Sequence, residues 1–127
     1  MAKTILIVDD EVRITMILSE FLSREGFDVM TAIDGRTALK MAKESLPDLI
    51  VLDVTMPDMD GGDVMASIMK DNDIKNIPIV LLTGLIAEHE TSDFSKSFSG
   101  RVVLSKALDI NEQVKKIKRV LEEESCI

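Results

Sequence analysis

The chain has 127 residues, 46% hydrophobic and 30% charged, which suits one soluble domain with a real hydrophobic core. Its formal net charge of −8 disfavours non-specific binding to nucleic acid or anionic lipid, since both reward positive surface. With four Phe and neither Tyr nor Trp, the chain also lacks the aromatic platforms on which bases stack.

The N-terminus, Met1-Ala2-Lys3-Thr4, is followed by an apolar run, Ile5–Val8, too short for a signal peptide and leading straight into acids. That run predicts a first strand over Thr4–Val8. A first helix is expected from about Glu11 to Arg24. Its apolar residues Ile14, Ile17, Leu18, Phe21 and Leu22 recur at helical spacing, and Gly26 follows as a stop. Asp28–Ala32 reads as a second strand, polar at its start and so placed at a sheet edge. Asp34-Gly35 makes a turn into a second helix with Ala38, Leu39, Met41, Ala42 and Leu46 on its apolar face, ending before Pro47.

Leu49–Leu52 is apolar throughout, as a central strand covered on both faces must be. A loop over Thr55–Gly62 leads to a helix over Asp63–Lys70 and a fourth strand over Ile79–Leu82. The stretch Ala87–Ser99 carries five Ser or Thr residues, which favour caps over helix interiors, so a marginal helix is expected there. A fifth strand over Arg101–Leu104 precedes a last helix over Ile110–Glu123, with Ile110, Val114, Ile117, Val120 and Leu121 facing inward. The single cysteine, Cys126, permits no internal disulfide in a monomer, and no apolar run approaches membrane-spanning length. A cytoplasmic protein without membrane contact is expected.

Alternation of short β-branched runs with helical segments is the pattern of βαβ units, and right-handed crossovers place helices on both faces of a parallel sheet. The expected fold is a doubly wound, three-layer α/β/α sandwich. In such a sheet the strand C-terminal ends share one edge, where ligands bind. The strands here end on Asp9-Asp10, on Asp53, on Thr83 and, through Ser105, on Lys106. Three carboxylates suit a hard cation such as Mg²⁺. With the cation in place Asp53 stays ionised and able to attack phosphorus, while Lys106 and Thr83 supply charge and a hydroxyl donor to phosphoryl oxygens. Gly84 leaves room for the group to approach the backbone. Each residue alone has a plainer reading, Asp10 as a helix cap and Lys106 as a solvated loop lysine; the set at one edge points to a site.

In these motifs the chain resembles a receiver domain of a two-component response regulator, the fold shared with the chemotaxis regulator. They are Ile5–Val8 with Asp9-Asp10-Glu11, the stretch Leu49–Gly61 containing Asp53-Val54-Thr55-Met56-Pro57-Asp58-Met59-Asp60-Gly61, Ile79–Leu82 with Thr83-Gly84, and Ser105-Lys106. The resemblance covers essentially the whole chain, and residues 1–127 are expected to form a single receiver domain with no output domain. It implies a five-stranded sheet in the order 2-1-3-4-5. It further implies that Asp53 is the phosphoacceptor, forming an aspartyl phosphate. Mg²⁺, with Mn²⁺ as a substitute, would be bound by Asp10, Asp53 and the backbone carbonyl of Thr55, with Asp9 orienting it through water. Lys106 would bridge to the phosphoryl group and Thr83 would swing inward to report it. The implied partners are a histidine kinase or histidine phosphotransfer domain and an unknown downstream protein, with no direct DNA binding; a phosphorylation-dependent dimer is compatible with it. The chain would catalyse only its own phosphorylation and dephosphorylation.

Two positions depart from the family pattern. Proline usually follows the lysine, in a cis peptide; here Ala107 does, and a cis non-proline bond costs about 2.5–4 kcal/mol. The usual aromatic switch residue, three positions before the lysine, is Val103, so an aromatic rotamer switch has no side chain to use. A receiver-like interaction module that is never phosphorylated is the alternative these departures keep open. A phosphohydrolase of the haloacid dehalogenase type needs a second Asp two residues after the nucleophile, where Thr55 stands. A flavodoxin-like cofactor binder would meet Asp9-Asp10-Glu11 where a flavin phosphate needs a Ser/Thr/Gly-rich loop. His89 reads as a solvent-exposed residue, and Lys115, Lys116, Lys118 and Arg119 as a solvated helix face.

Overall fold

A computed structural model describes residues 2–53, 61–83, 102–106 and 109–125. Thr55, Gly84, the helix expected over 87–99, His89, the peptide bond from Lys106 to Ala107 and Cys126 lie outside the described residues. The elements are β1 (Thr4–Val8), α1 (Val12–Arg24), β2 (Asp28–Ala32), α2 (Gly35–Ser45), β3 (Leu49–Asp53), α3 (Gly61–Lys70), β4 (Ile79–Thr83), β5 (Val102–Ser105) and α4 (Ile110–Ser125). All strand pairings are parallel, in the order β2-β1-β3-β4-β5, as the resemblance implied.

Strand burial follows position in the sheet. Every residue of β3 and β4 is buried, because interior parallel strands are covered on both faces. The edge strand β2 buries only Ala32 fully. Successive strand residues serve opposite faces. Leu6, Val8, Ile50, Leu52, Ile79, Leu81 and Val103 pack with Ala38 and Ala42 of α2 and with Val64 and Ile68 of α3. Ile5, Ile7, Leu49, Val51, Val80, Leu82 and Leu104 pack with Leu18 and Leu22 of α1 and with Val114, Ile117 and Leu121 of α4. The sheet therefore separates two hydrophobic cores, and the three layers are those the alternation predicts.

Two helical residues expected in the core lie outside it. In α1 the buried line is Thr15, Leu18 and Leu22, spaced i, i+3 and i+7; Ile14 and Phe21 flank it, and Ile17 is 43% exposed. Thr15 is accommodated because its hydroxyl donates to the Val12 carbonyl at 2.8 Å. Leu46 is likewise exposed. It ends α2 in the left-handed region (φ 47°, ψ 64°), its N–H donating to the Ala42 carbonyl at 2.9 Å, because Pro47 bars its predecessor from continuing the helix. Asp34, read as part of a turn, is the N-cap of α2 and accepts the Thr37 N–H at 2.8 Å. Gly26, at φ 95°, terminates α1 as expected.

Candidate functional site

The chain leaves β1 for β2 on one side and returns to β3 on the other, so strand order reverses between β1 and β3. At such a switch point the crossover helices diverge and open a crevice beyond the strand C-termini. Asp9 follows β1 there and Asp53 ends β3. The alternation that buries Leu49 and Val51 toward α1 and α4 assigns Asp53 to the same face. Ile5 and Ile7 do the same for Asp9, and Leu104 for Lys106. Thr83 belongs to the opposite set with Ile79 and Leu81. Backbone bonds carry the ladder to the crevice: Asp9 N–H donates to Ala32 at 3.1 Å and Lys106 N–H to Thr83 at 2.8 Å.

The Lys106 ammonium is the centre of the cluster. Its Nζ lies 3.0 Å from Asp9 Oδ2, 3.1 Å from Asp53 Oδ2 and 2.6 Å from Glu11 Oε1. Asp9 and Asp53 are 0% and 1% exposed, and the lysine side chain 10%; Asp10 and Glu11 reach solvent. Thr83 and Ser105, aligned across the β4–β5 ladder, are both fully buried. Asp9 Oδ1 accepts the Glu11 N–H at 2.9 Å, which fixes the turn into α1.

Burial works against the charge on Asp9, and the neighbouring Asp53 adds repulsion. The Glu11 N–H and Lys106 offset part of this, and the carboxyl still rises from 3.8 to about 6. For Lys106 burial also disfavours the charge, yet its close contacts with the carboxylates of Glu11, Asp9 and Asp53 outweigh it and hold the amine above its ordinary range.

The donor set fits a hard divalent cation. Asp9, Asp10 and Asp53 each offer an oxygen, all within 4.8 Å of one another. The Asp9 Oδ2 atom, though within ion-pairing distance of Lys106, receives no hydrogen bond of good geometry among the described residues. A buried, raised carboxylate with such an oxygen is what a cation would relieve.

The sequence pattern of the response regulator receiver domain matches residues 5–118. The chain belongs to this family. It is 39% identical over 128 residues to the alkaline phosphatase synthesis transcriptional regulatory protein PhoP of Bacillus subtilis, covering 94% of this chain and 50% of PhoP. It is 46% identical over 85 residues to the response regulator PleD of Caulobacter vibrioides, covering 67% of this chain and 19% of PleD. The chain thus spans half or less of the length of these relatives. Among solved structures, chemotaxis protein CheY4 of Vibrio cholerae superposes with a TM-score of 0.82 at 30% identity, covering 94% of this chain and 99% of CheY4. A CheY-like receiver domain protein from Methanospirillum hungatei gives 0.83 at 26% identity over 98% of both chains.

In this receiver the expected site residues Asp9, Asp10, Asp53 and Lys106 come together, and Thr83 ends the neighbouring strand. Val103 is buried in the core facing α2 and α3. The reach of Glu11 to Lys106, across 95 positions, was not legible in advance. Its only sequence signal is a third acid directly after Asp9-Asp10. No helix among the described residues is long and apolar enough to cross a membrane.

Proposed function

We propose that this receiver accepts a phosphoryl group on Asp53 from a phosphohistidine of a kinase or phosphotransfer protein. The observation that supports it best is the Lys106 ammonium 3.1 Å from a buried Asp53, with Asp9 and Asp10 beside it at the switch point of the sheet. An Asp53 oxygen forms the new P–O bond as the P–N bond to the donor imidazole breaks. Asp9, Asp10 and Asp53, with the Thr55 backbone carbonyl, would hold Mg²⁺ or Mn²⁺. When bound, such a cation neutralises paired carboxylates and stabilises charge on the transferring oxygens. Lys106 supplies a fixed positive charge to the same oxygens and Thr83, followed by Gly84, a hydroxyl donor.

Beside Lys106 a hollow of about 190 Å³ is lined by Ile14, Ile17, Ile110 and Gln113. This apolar rim is where a donor's helices would rest. With Val103 replacing an aromatic, output depends on Thr83 and the surface it adjoins. The downstream partner would be met by protein contact.

The test is incubation with acetyl phosphate and Mg²⁺, read by intact mass, with Asp53→Asn as control. A single phosphoryl adduct, dependent on Mg²⁺ and absent in the variant, is the expected result. No adduct, together with no binding of beryllofluoride, would overturn the reading in favour of an interaction module that is never phosphorylated.

A further inference from the structure

Glu11 occupies the N-cap position of α1, where Ser, Thr, Asp or Asn normally accepts a hydrogen bond from the first free N–H groups. Here the position is extended (φ −85°, ψ 94°) but its side chain makes no capping bond. Instead the carboxylate reaches over the crevice and takes the Lys106 ammonium at 2.6 Å, the shortest of that amine's three ion pairs among the described residues. The local role of the residue is given up for a contact with the residue that follows β5. Unlike Asp9 and Asp53, Glu11 is 56% exposed at its side chain, so it lies on the solvent side of the amine. A phosphoryl group arriving on Asp53 brings new anionic oxygens that compete for the same three ammonium protons.

We propose that Glu11 is a positioning residue that holds Lys106 in a resting place and competes with the phosphoryl group for it. Asp53 modification must draw the amine away from Glu11, so Glu11 weakens retention of the phosphoryl group and of its mimics. The inference rests on the receiver reading above, and it concerns reach rather than charge alone. Aspartate at position 11 keeps the charge but is one methylene shorter. It also suits the N-cap, where its oxygens turn to the helix N–H groups and leave Lys106.

The experiment compares wild type, Glu11→Gln and Glu11→Asp. Beryllofluoride affinity is measured by calorimetry in excess Mg²⁺, and proton exchange of the Lys106 ammonium by nitrogen-15 spectra of metal-free protein. Both variants should bind the mimic about two- to fivefold more tightly, the range an ion pair with one exposed partner supplies. Both should exchange the ammonium protons several-fold faster. Tightening in Glu11→Gln with wild-type affinity in Glu11→Asp would mean simple charge repulsion and overturn the proposal. So would unchanged ammonium exchange in either variant, and so would unchanged affinity in both. Failure of wild type to bind beryllofluoride at all would refute the receiver reading, with the metal-free exchange rates still deciding whether Glu11 holds the amine.

Discussion

Replacing Asp9 by Asn should stabilise the metal-free protein at neutral pH. Asp9 is completely buried, and its carboxyl is raised from 3.8 to about 6, chiefly by burial and against the partial relief from the Glu11 N–H and Lys106. A carboxyl whose folded pKa lies above its unfolded one favours the fold while protonated. That contribution is complete below pH 3.8 and is lost as pH rises through about 6. At pH 7.5 the metal-free fold therefore carries an ionised Asp9 at a cost of about 3 kcal/mol, taking about 1.4 kcal/mol per pKa unit. Asparagine has nearly the same shape and no charge, and Lys106 keeps Glu11 and Asp53 as partners. At roughly 3–5 °C per kcal/mol for a domain of this size, Asp9→Asn should melt about 10 °C higher in chelator at pH 7.5. The advantage should shrink to about 1 kcal/mol at pH 4.5, where Asp9 is protonated in the folded state. Thermal melts followed by circular dichroism at the two pH values provide the check. A variant that melts at or below wild type at pH 7.5, or with the same difference at both, would refute the reasoning.

Saturating Mg²⁺ should nearly cancel that difference. At a concentration one hundred times its dissociation constant the cation stabilises wild type by about 2.7 kcal/mol, and Asp10→Asn should lose most of this gain in the same melts even though Asp10 is exposed. On α1, Leu18→Ala should cost about 3 kcal/mol in urea unfolding and Ile17→Ala under about 1 kcal/mol, because only the first is fully buried. Removing the α2 cap with Asp34→Ala should cost about 1 kcal/mol. Leu46→Gly should stabilise the fold by about 0.5–1 kcal/mol and raise the urea midpoint accordingly, because glycine relieves the left-handed backbone at an exposed position.

Most of the architecture was readable because a parallel sheet leaves so plain a trace. Ile5–Val8, Leu49–Leu52 and Ile79–Leu82 are apolar at every position, which only two-sided burial explains, and each meets its polar end residue in the crevice. Strand ends in a common direction then carry Asp9, Asp53 and Lys106 to one place without any information on side-chain contacts. Ile17 and Leu46 were misplaced because apolar character does not say which side of a helical stripe touches the sheet. A hydroxyl at Thr15 could enter the core by bonding its own helix, a local solution that hydrophobic periodicity does not register. Glu11 escaped notice for a related reason. Its partner is 95 positions away, and a run of three acids invites reading all three as one charge cluster.

The two-sided sheet has a consequence for how this chain tolerates change. Its strands act as a partition: neighbouring residues such as Leu6 and Ile7 occupy different chambers, one closed by α2 and α3, the other by α1 and α4. Volume removed on one side cannot be refilled from the other, since the backbone ladder stands between them. Each chamber can therefore drift in sequence under its own packing constraints, so long as the wall keeps its register. Asp9 and Asp53 continue the pleat on the α1 and α4 side, whereas Thr83 continues it on the other. The two buried acids and the hydroxyl thus answer to separate sets of core neighbours, and a lineage could retune one without disturbing the other.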